Sequence, residues 1–313
     1  MSELPLLLVI CGPTAVGKSA VALEVARRLD GEIISGDSAQ VYRYMDIGTA
    51  KPSPEERREV AHHLVDILDP DQRWSVADFR NAVDELVPQV AGRGHLPILA
   101  GGTMLYIRAV TAGYHFPSPA YDPDVRRRLY DRAATEGASA LYEWLARVDP
   151  ETARRLNPGD LRRVVRALEV FLLTGTPISA HASRRRPGPY RLLVVGLTRP
   201  RPVLYRRIDA RVEDMLRAGL VEEVRGLLER GYSPQLPSMR ALGYREMIDY
   251  LYGRTTLGEA RRLFARNTRH FARRQFTWMK REEGMIWIDL GENKEEEAIT
   301  RIVEMAAGNR WPP

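Results

Sequence analysis

Residues 6–19 read LLLVICGPTAVGKS, and this stretch decides the fold. Leu6 to Cys11 is a short, wholly apolar run, the pattern of a strand buried on both faces of a parallel sheet. Gly12, Pro13, Thr14, Ala15, Val16, Gly17, Lys18 and Ser19 then match G-x-x-x-x-G-K-[ST]. Val21, Ala22, Val25, Ala26 and Leu29 recur with a helical period, which predicts a helix over 19–29. The glycines let backbone N–H groups curl around a phosphate, and the helix N-terminus adds its positive dipole end. Lys18 would hold outer phosphate oxygens and Ser19 a Mg²⁺ ion. A nucleotide is the usual tenant of such a loop, but any diphosphate ester offers the same two phosphates.

Outward from this loop, Glu32 to Ser35, Leu96 to Ala100 and Leu192 to Leu197 read as further short strands, with a helix over 76–90 between them. Strands alternating with helices predict an α/β fold with a P-loop NTPase-like parallel sheet core. From Asp122 to Ala182 the strand pattern stops. Segments 126–135, 138–148, 150–156, 161–173 and 177–183 all carry helical patterns, entered through Pro117, Pro119 and Pro123 and left through Pro187 and Pro189. An all-helical insertion domain is therefore expected. The division is 1–115 for the first part of the core, 116–189 for the insertion, and 190–313 for the rest of the core. The last part carries helices over 202–218, 221–230, 240–251 and 257–281, and a final strand over 287–290.

Composition excludes several classes. The chain has 313 residues, 44% hydrophobic and 28% charged, enough to bury a sizeable core. A single cysteine, Cys11, rules out an intramolecular disulfide and suits a reducing compartment. No apolar run approaches a membrane span, and the longest, Leu4 to Cys11, lacks the flanks of a signal peptide. A cytoplasmic, monomeric protein with no membrane association is the expectation. Lys plus Arg number 47 against 41 Asp plus Glu, a net charge of +6, and all but four of the basic residues are arginine. Arginine's planar, weakly hydrated fork suits phosphate and base stacking.

Placement of side chains narrows the chemistry. Asp37 follows a strand end, where ligands of doubly wound sheets bind. It suits a Mg²⁺ carboxylate, a general base or a helix N-cap. Thr103, after Gly101 and Gly102, ends another strand on the same edge. Lys51 lies in a tight loop, suited equally to a phosphate contact or a plain surface position. His62 and His63 are adjacent, so in a strand they point to opposite faces and read as structural. Arg162, Arg163 and Arg166 open one helix. Arg262, Arg266, Arg269 and Arg273 share a face of another, within 261–281, where no acid intervenes and aromatics are interleaved. Such a stripe suits an RNA backbone. Arg207 and Arg211 are four apart, placed to face a transferred group after a late strand.

Taken in order, GPTAVGKS at 12–19, DSAQVY at 37–42, GTAKP at 48–52, HHLVDILDP at 62–70, GGTMLY at 101–106, NPGDLRRVVRALEV at 157–170, MRALGYRE at 239–246 and RRQFTWMKR at 273–281 resemble the bacterial tRNA dimethylallyltransferases, the tRNA isopentenyltransferase family. The resemblance runs from about residue 6 to 290. It departs at Met104, where many relatives have Gly, and at Ser19, where many have Thr, which keeps the hydroxyl. The resemblance implies transfer of a dimethylallyl group from dimethylallyl diphosphate to N6 of adenosine 37, in tRNAs reading codons that begin with U, with release of diphosphate. It implies that the loop grips the diphosphate with Mg²⁺ as cofactor, that Asp37 takes the N6 proton, that Thr103 lies at the reaction channel, and that Arg211 steadies the leaving group. It places the tRNA anticodon stem-loop against Asp37, Ser38, Ala39, Gln40, Thr103, Arg126, Arg162, Arg163, Arg166, Arg240, Arg245, Arg273, Arg274, Gln275, Trp278 and Lys280. The target base would leave its stack to reach the site. Two other classes fit parts of the sequence: a P-loop small-molecule or nucleotide kinase, which needs no basic helix at 261–281, and an RNA-binding protein that uses the loop only as a phosphate clamp.

Overall fold

The computed structural model describes residues 4–114, 121–183, 187–282, 284–291 and 294–309. The chain forms two compact units, Met1–Thr111 with Gly188–Pro313, and Ala112–Pro187. Along the chain the elements are β1 (Leu6–Cys11), α1 (Lys18–Arg28), β2 (Gly31–Ser35), α2 (Pro54–Glu59), β3 (His62–His63), α3 (Val76–Gly92), β4 (Leu96–Gly101) and α4 (Met104–Thr111). In the second unit α5 (Pro123–Glu136), α6 (Ala138–Val148), α7 (Pro150–Arg155), α8 (Leu161–Thr174) and α9 (Ile178–Ser183) follow. The first unit resumes with β5 (Arg191–Thr198), α10 (Arg201–Arg217), α11 (Leu220–Glu229), a 3-10 turn (Ser238–Arg240), α12 (Tyr244–Leu251), α13 (Leu257–Met279), β6 (Ile286–Asp289) and α14 (Glu295–Gly308).

The six strands form one parallel sheet in the order β3-β2-β4-β1-β5-β6. The fold is thus the α/β parallel-sheet class read from the sequence, with an all-helical insertion. β1 is central, and its unbroken apolar run follows from burial on both faces. Leu6, Leu8 and Ile10 join the core under α1 and α14, with Val21, Val25 and Ile302. Leu7, Val9 and Cys11 face the other way, against Phe79 and Val83 of α3 and Ile107 of α4. The Phe79 and Tyr106 rings stack there with centroids 4.2 Å apart. Met104 is buried in the same core, so its departure from the family pattern points inward. A third cluster joins Val41, Tyr42 and Met45 to α10–α13, and a fourth is the core of the helical unit, built on Leu141, Leu145, Val164 and Leu168.

Two details of the sequence reading change. The helix over 240–251 is a 3-10 turn followed by α12. Glu246 accepts a hydrogen bond from the Gly243 N–H (2.9 Å), which closes the new helix start. Three helices, α2, α4 and α14, were not read as such. α2 begins at a reciprocal cap in which Ser53 and Glu56 satisfy each other's backbone N–H groups. No helix among the described residues is long and apolar enough to cross a membrane.

Candidate active site

The loop between β1 and α1 sits at the carboxyl end of the central strand, where β4 and β5 flank β1 on opposite sides. Lys18 is the first residue of α1, and its ammonium donates to the Pro13 carbonyl (2.9 Å) inside the loop. Ala15, Gly17, Lys18, Ser19, Arg207, Ala210, Arg211 and Asp214 line a cleft of about 420 Å³. Arg211 also borders a second cleft of about 530 Å³, walled by Ile47, Ala50, Pro52 and Met215.

The electrostatics of this cleft are unusual. Burial first and the Arg211 charge second lower the Lys18 pKa to about 8, against the opposing pull of Asp37. Burial also lowers the Arg211 pKa, and Asp37 again opposes. Lys18, Arg207 and Arg211 line the cleft against Asp214, with the Asp37 charge acting on Lys18 and Arg211, and the excess of positive charge suits a multiply charged anion. The Ser19 side chain is exposed at the cleft rim.

The adjoining strand ends are locked to the loop. Gly101 ends β4 directly against Gly36, and a Cβ there would lie 2.3 Å from the Gly36 carbonyl oxygen. The Thr103 N–H donates to that same oxygen (3.2 Å). The Thr103 hydroxyl accepts from the Ser38 N–H (3.0 Å), and Asp37 Oδ1 accepts from the Ala39 N–H (2.9 Å). No helix follows Asp37, so its carboxylate closes a short turn rather than capping a helix. Gln40 accepts from the Ser35 hydroxyl (2.8 Å) and donates to the Thr49 and Ala50 carbonyls (3.3 and 3.1 Å).

Gln275 is buried, 5% exposed, although the family resemblance put it among the tRNA contacts. Its Oε1 accepts from the Thr14 N–H (2.9 Å) and its Nε2 donates to the Gly102 carbonyl (2.7 Å). It ties the phosphate loop to the β4 turn from α13. Lys51 is not the plain surface position that the sequence also allowed. Its ammonium is buried, donating to the Tyr42 carbonyl (2.5 Å) and pairing with Asp46 (2.6 Å) and Asp66. Glu223 was missed altogether. It accepts from the Asp46, Ile47 and Gly48 N–H groups (2.8, 2.7 and 3.1 Å) and from the Tyr244 hydroxyl (2.6 Å), fixing the loop beside the second cleft. His63 pairs with Glu32 (2.6 Å) and His62 bonds the Val60 carbonyl (2.8 Å), in keeping with structural histidines.

The basic residues fall into two groups. On α13, Arg262 pairs with Glu259 (2.6 Å), Arg269 with Asp209 (2.5 Å) and Arg261 with Glu213 (3.1 Å). The stripe expected to be free of acids is thus partly neutralised from the preceding turn and from α10. Arg273 and Arg274 are exposed, with no carboxylate partner among the described residues. Trp278 is 39% exposed with Arg108 over its ring, and Lys280 lies over Phe276. Arg240 is exposed, and Arg245 pairs with the buried Glu246 (2.6 Å). In the helical unit, Arg126 and Arg166 both pair with Glu169 (2.6 and 2.8 Å), which is fully buried. Arg162 and Arg163 are exposed.

A parallel sheet with a glycine-rich loop at the end of its central strand and a cleft beside it lined by Lys18, Arg207 and Arg211 defines an α/β protein with a cationic cleft at that loop. The sequence profile of the IPP transferase family matches residues 40–282. The chain is 50% identical over 315 residues to the tRNA dimethylallyltransferase of Symbiobacterium thermophilum, covering 99% of this chain and 97% of that one. It is 49% identical over 306 residues to that of Heliobacterium modesticaldum, covering 96% of each. The full-length tRNA isopentenylpyrophosphate transferase of Bacillus halodurans superposes with a TM-score of 0.72 at 43% identity, over 96% of this chain and 95% of that one. A eukaryotic dimethylallyltransferase acting on tRNA superposes with a TM-score of 0.84 at 25% identity, over 97% of this chain and 80% of that one. The chain belongs to the IPP transferase family.

Proposed function

We propose that this chain is a tRNA dimethylallyltransferase, which moves a dimethylallyl group from dimethylallyl diphosphate to N6 of adenosine 37 in tRNAs reading codons that begin with U. The observation that carries this reading is the convergence of Lys18, Arg211 and Asp37 at the phosphate loop in a chain of this family. An exocyclic amine is a weak nucleophile, so the reaction depends on stabilising the leaving group. The loop N–H groups, Lys18 and Arg211 bind the diphosphate and neutralise charge as the allylic C–O bond breaks. The N6 lone pair forms the new bond to carbon, and Asp37 accepts the N6 proton. Arg211 suits the leaving group better than Arg207 does, because the Arg207 Nε is already donated to the Ala15 carbonyl (3.0 Å).

Mg²⁺ fits the site by the same reasoning. The Ser19 hydroxyl lines the cleft without a hydrogen-bond partner among the described residues. The ion would be held by Ser19 together with oxygens of the diphosphate, and it would supply charge neutralisation to the leaving group. The anticodon stem-loop suits exposed arginines without a carboxylate partner among the described residues, Arg273 and Arg274 above all, since single-stranded loops are where RNA sequence is read.

The test is transfer from labelled dimethylallyl diphosphate to unmodified tRNA with Mg²⁺, followed by digestion to nucleosides. Label on N6-dimethylallyladenosine is the expected result. Absence of label with consumption of ATP would make the chain a kinase instead.

A further inference from the structure

The phosphate loop is held from behind as well as from within. Arg199, just past the end of β5, has a side chain only 1% exposed. Its Nε donates to the Val16 carbonyl (2.7 Å) and its Nη1 to the Gly291 carbonyl (2.7 Å), while Nη2 pairs with Glu295. Arg207 adds its own bond to the Ala15 carbonyl and lies 3.9 Å from the same Glu295. Two successive loop carbonyls, those of Ala15 and Val16, are therefore each taken by an arginine, and one carboxylate balances both.

The contact reaches the loop's turning point. Gly17 has φ +116°, and a Cβ added to it would lie 3.6 Å from Arg199 Nη2 and 3.7 Å from Glu295 Oε1. Holding the Val16 carbonyl on Arg199 sets the Gly17 N–H of the same peptide unit on the opposite side, and Gly17 lines the cleft. Glu295 is the first residue of α14. The C-terminal helix is thus wired to the anion site through one buried guanidinium.

We propose that Arg199, seated on Glu295, is a positioning residue that holds the phosphate loop in its anion-binding form. Neither side chain lines the phosphate cleft, so the effect runs through the loop backbone. The inference rests on diphosphate being the loop's ligand, and the test separates the two.

Arg199→Gln, Arg199→Lys and Glu295→Gln would be compared with the wild-type full-length chain. Inorganic diphosphate with Mg²⁺, tRNA binding, transfer kinetics and thermal midpoint would be followed in each. The expected result for Arg199→Gln is a roughly tenfold rise in diphosphate Kd and in the KM for dimethylallyl diphosphate, with tRNA Kd unchanged. Arg199→Lys should recover only part of this, because one ammonium cannot serve three acceptors in a fixed fork. Glu295 is half-exposed, so Glu295→Gln keeps the fold testable even where Arg199→Gln does not, and a severalfold rise in diphosphate Kd is expected. A lowered midpoint with wild-type diphosphate affinity in both Glu295→Gln and the Arg199 variants would overturn the proposal and leave a stability contact. Loss of diphosphate affinity in these variants, in a chain that transfers no dimethylallyl group, would uphold the brace and overturn the substrate assignment.

Discussion

Lys18 carries a pKa of about 8 because burial and the neighbouring Arg211 both disfavour its charge. A bound diphosphate needs that charge, so affinity for inorganic diphosphate with Mg²⁺ should weaken as pH rises through about 8. Lys18→Arg keeps its charge over this range and experiences the same titration of the ligand. The ratio of the two affinities across pH therefore isolates Lys18, and a flat ratio would remove the lysine from the site. The stability linkage runs in the opposite sense. The folded chain releases the Lys18 proton near 8, whereas an unperturbed lysine keeps it to 10.5, so this residue's contribution to stability rises with pH between those values. At pH 7 the buried ammonium is a standing cost, and Lys18→Met should raise the thermal midpoint of the free chain while removing diphosphate binding. Asp37→Asn should lower kcat on the order of 10²–10⁴-fold, the range for a lost general base, with diphosphate affinity kept. Loss of diphosphate affinity together with kcat would make Asp37 a binding residue instead. Lys18 and Ser19 were legible in the sequence because the loop's chemistry lies in consecutive residues. Gln275 was not, since its partners Thr14 and Gly102 are remote in sequence and nothing local marks it.

At the scale of elements, α13 shows what a one-dimensional charge pattern can and cannot report. The absence of acids between Arg261 and Arg281 is a property of that stretch alone. Asp209 and Glu213 reach Arg269 and Arg261 from α10, and Glu259 reaches Arg262 from the turn before. What survives as open positive charge lies toward the helix C-terminus, at Arg273 and Arg274. Reversing both to Glu should weaken tRNA binding and lower the slope of log K against log salt by about two, roughly one for each phosphate no longer neutralised. Arg262→Ala should change the slope little, because that charge is already balanced by Glu259. Equal slopes for all three proteins would make the stripe a solvated face. The strands were legible because burial on both faces leaves unbroken apolar runs. α14 was not read, although Glu295, Glu296 and Glu297 open it with the acids that favour a helix N-terminus. Missing α14 also hid the carboxylate on which Arg199 rests.

For the whole molecule, the insertion was legible as a loss of strand pattern between Asp122 and Ala182, but its inner wiring was not. Glu169 lies on an apolar face of α8, fully buried, and only the fold shows that Arg126 and Arg166 converge on it. The helical unit has its own core, with Leu141, Leu145, Val164 and Leu168 all fully buried. A unit of this length lies near the lower end of what a single hydrophobic core sustains. Truncating one core leucine to alanine costs about 2–5 kcal/mol, a large share of the stability such a unit can have. Leu168→Ala should therefore loosen Ala112–Pro187 while the sheet-bearing unit keeps its fold. Two readouts separate the units. Affinity for tRNA should fall, because Arg126, Arg162, Arg163 and Arg166 all depend on α5 and α8 for their placement. Affinity for inorganic diphosphate with Mg²⁺ should stay at the wild-type value, because the phosphate loop, Arg211 and Gln275 all belong to the other unit. Thermal unfolding followed by heat capacity should show the lower of two transitions moving down and the upper one unmoved. A single shifted transition, with diphosphate binding lost alongside tRNA binding, would mean that the chain folds as one cooperative block and that the site depends on the insertion for its structure.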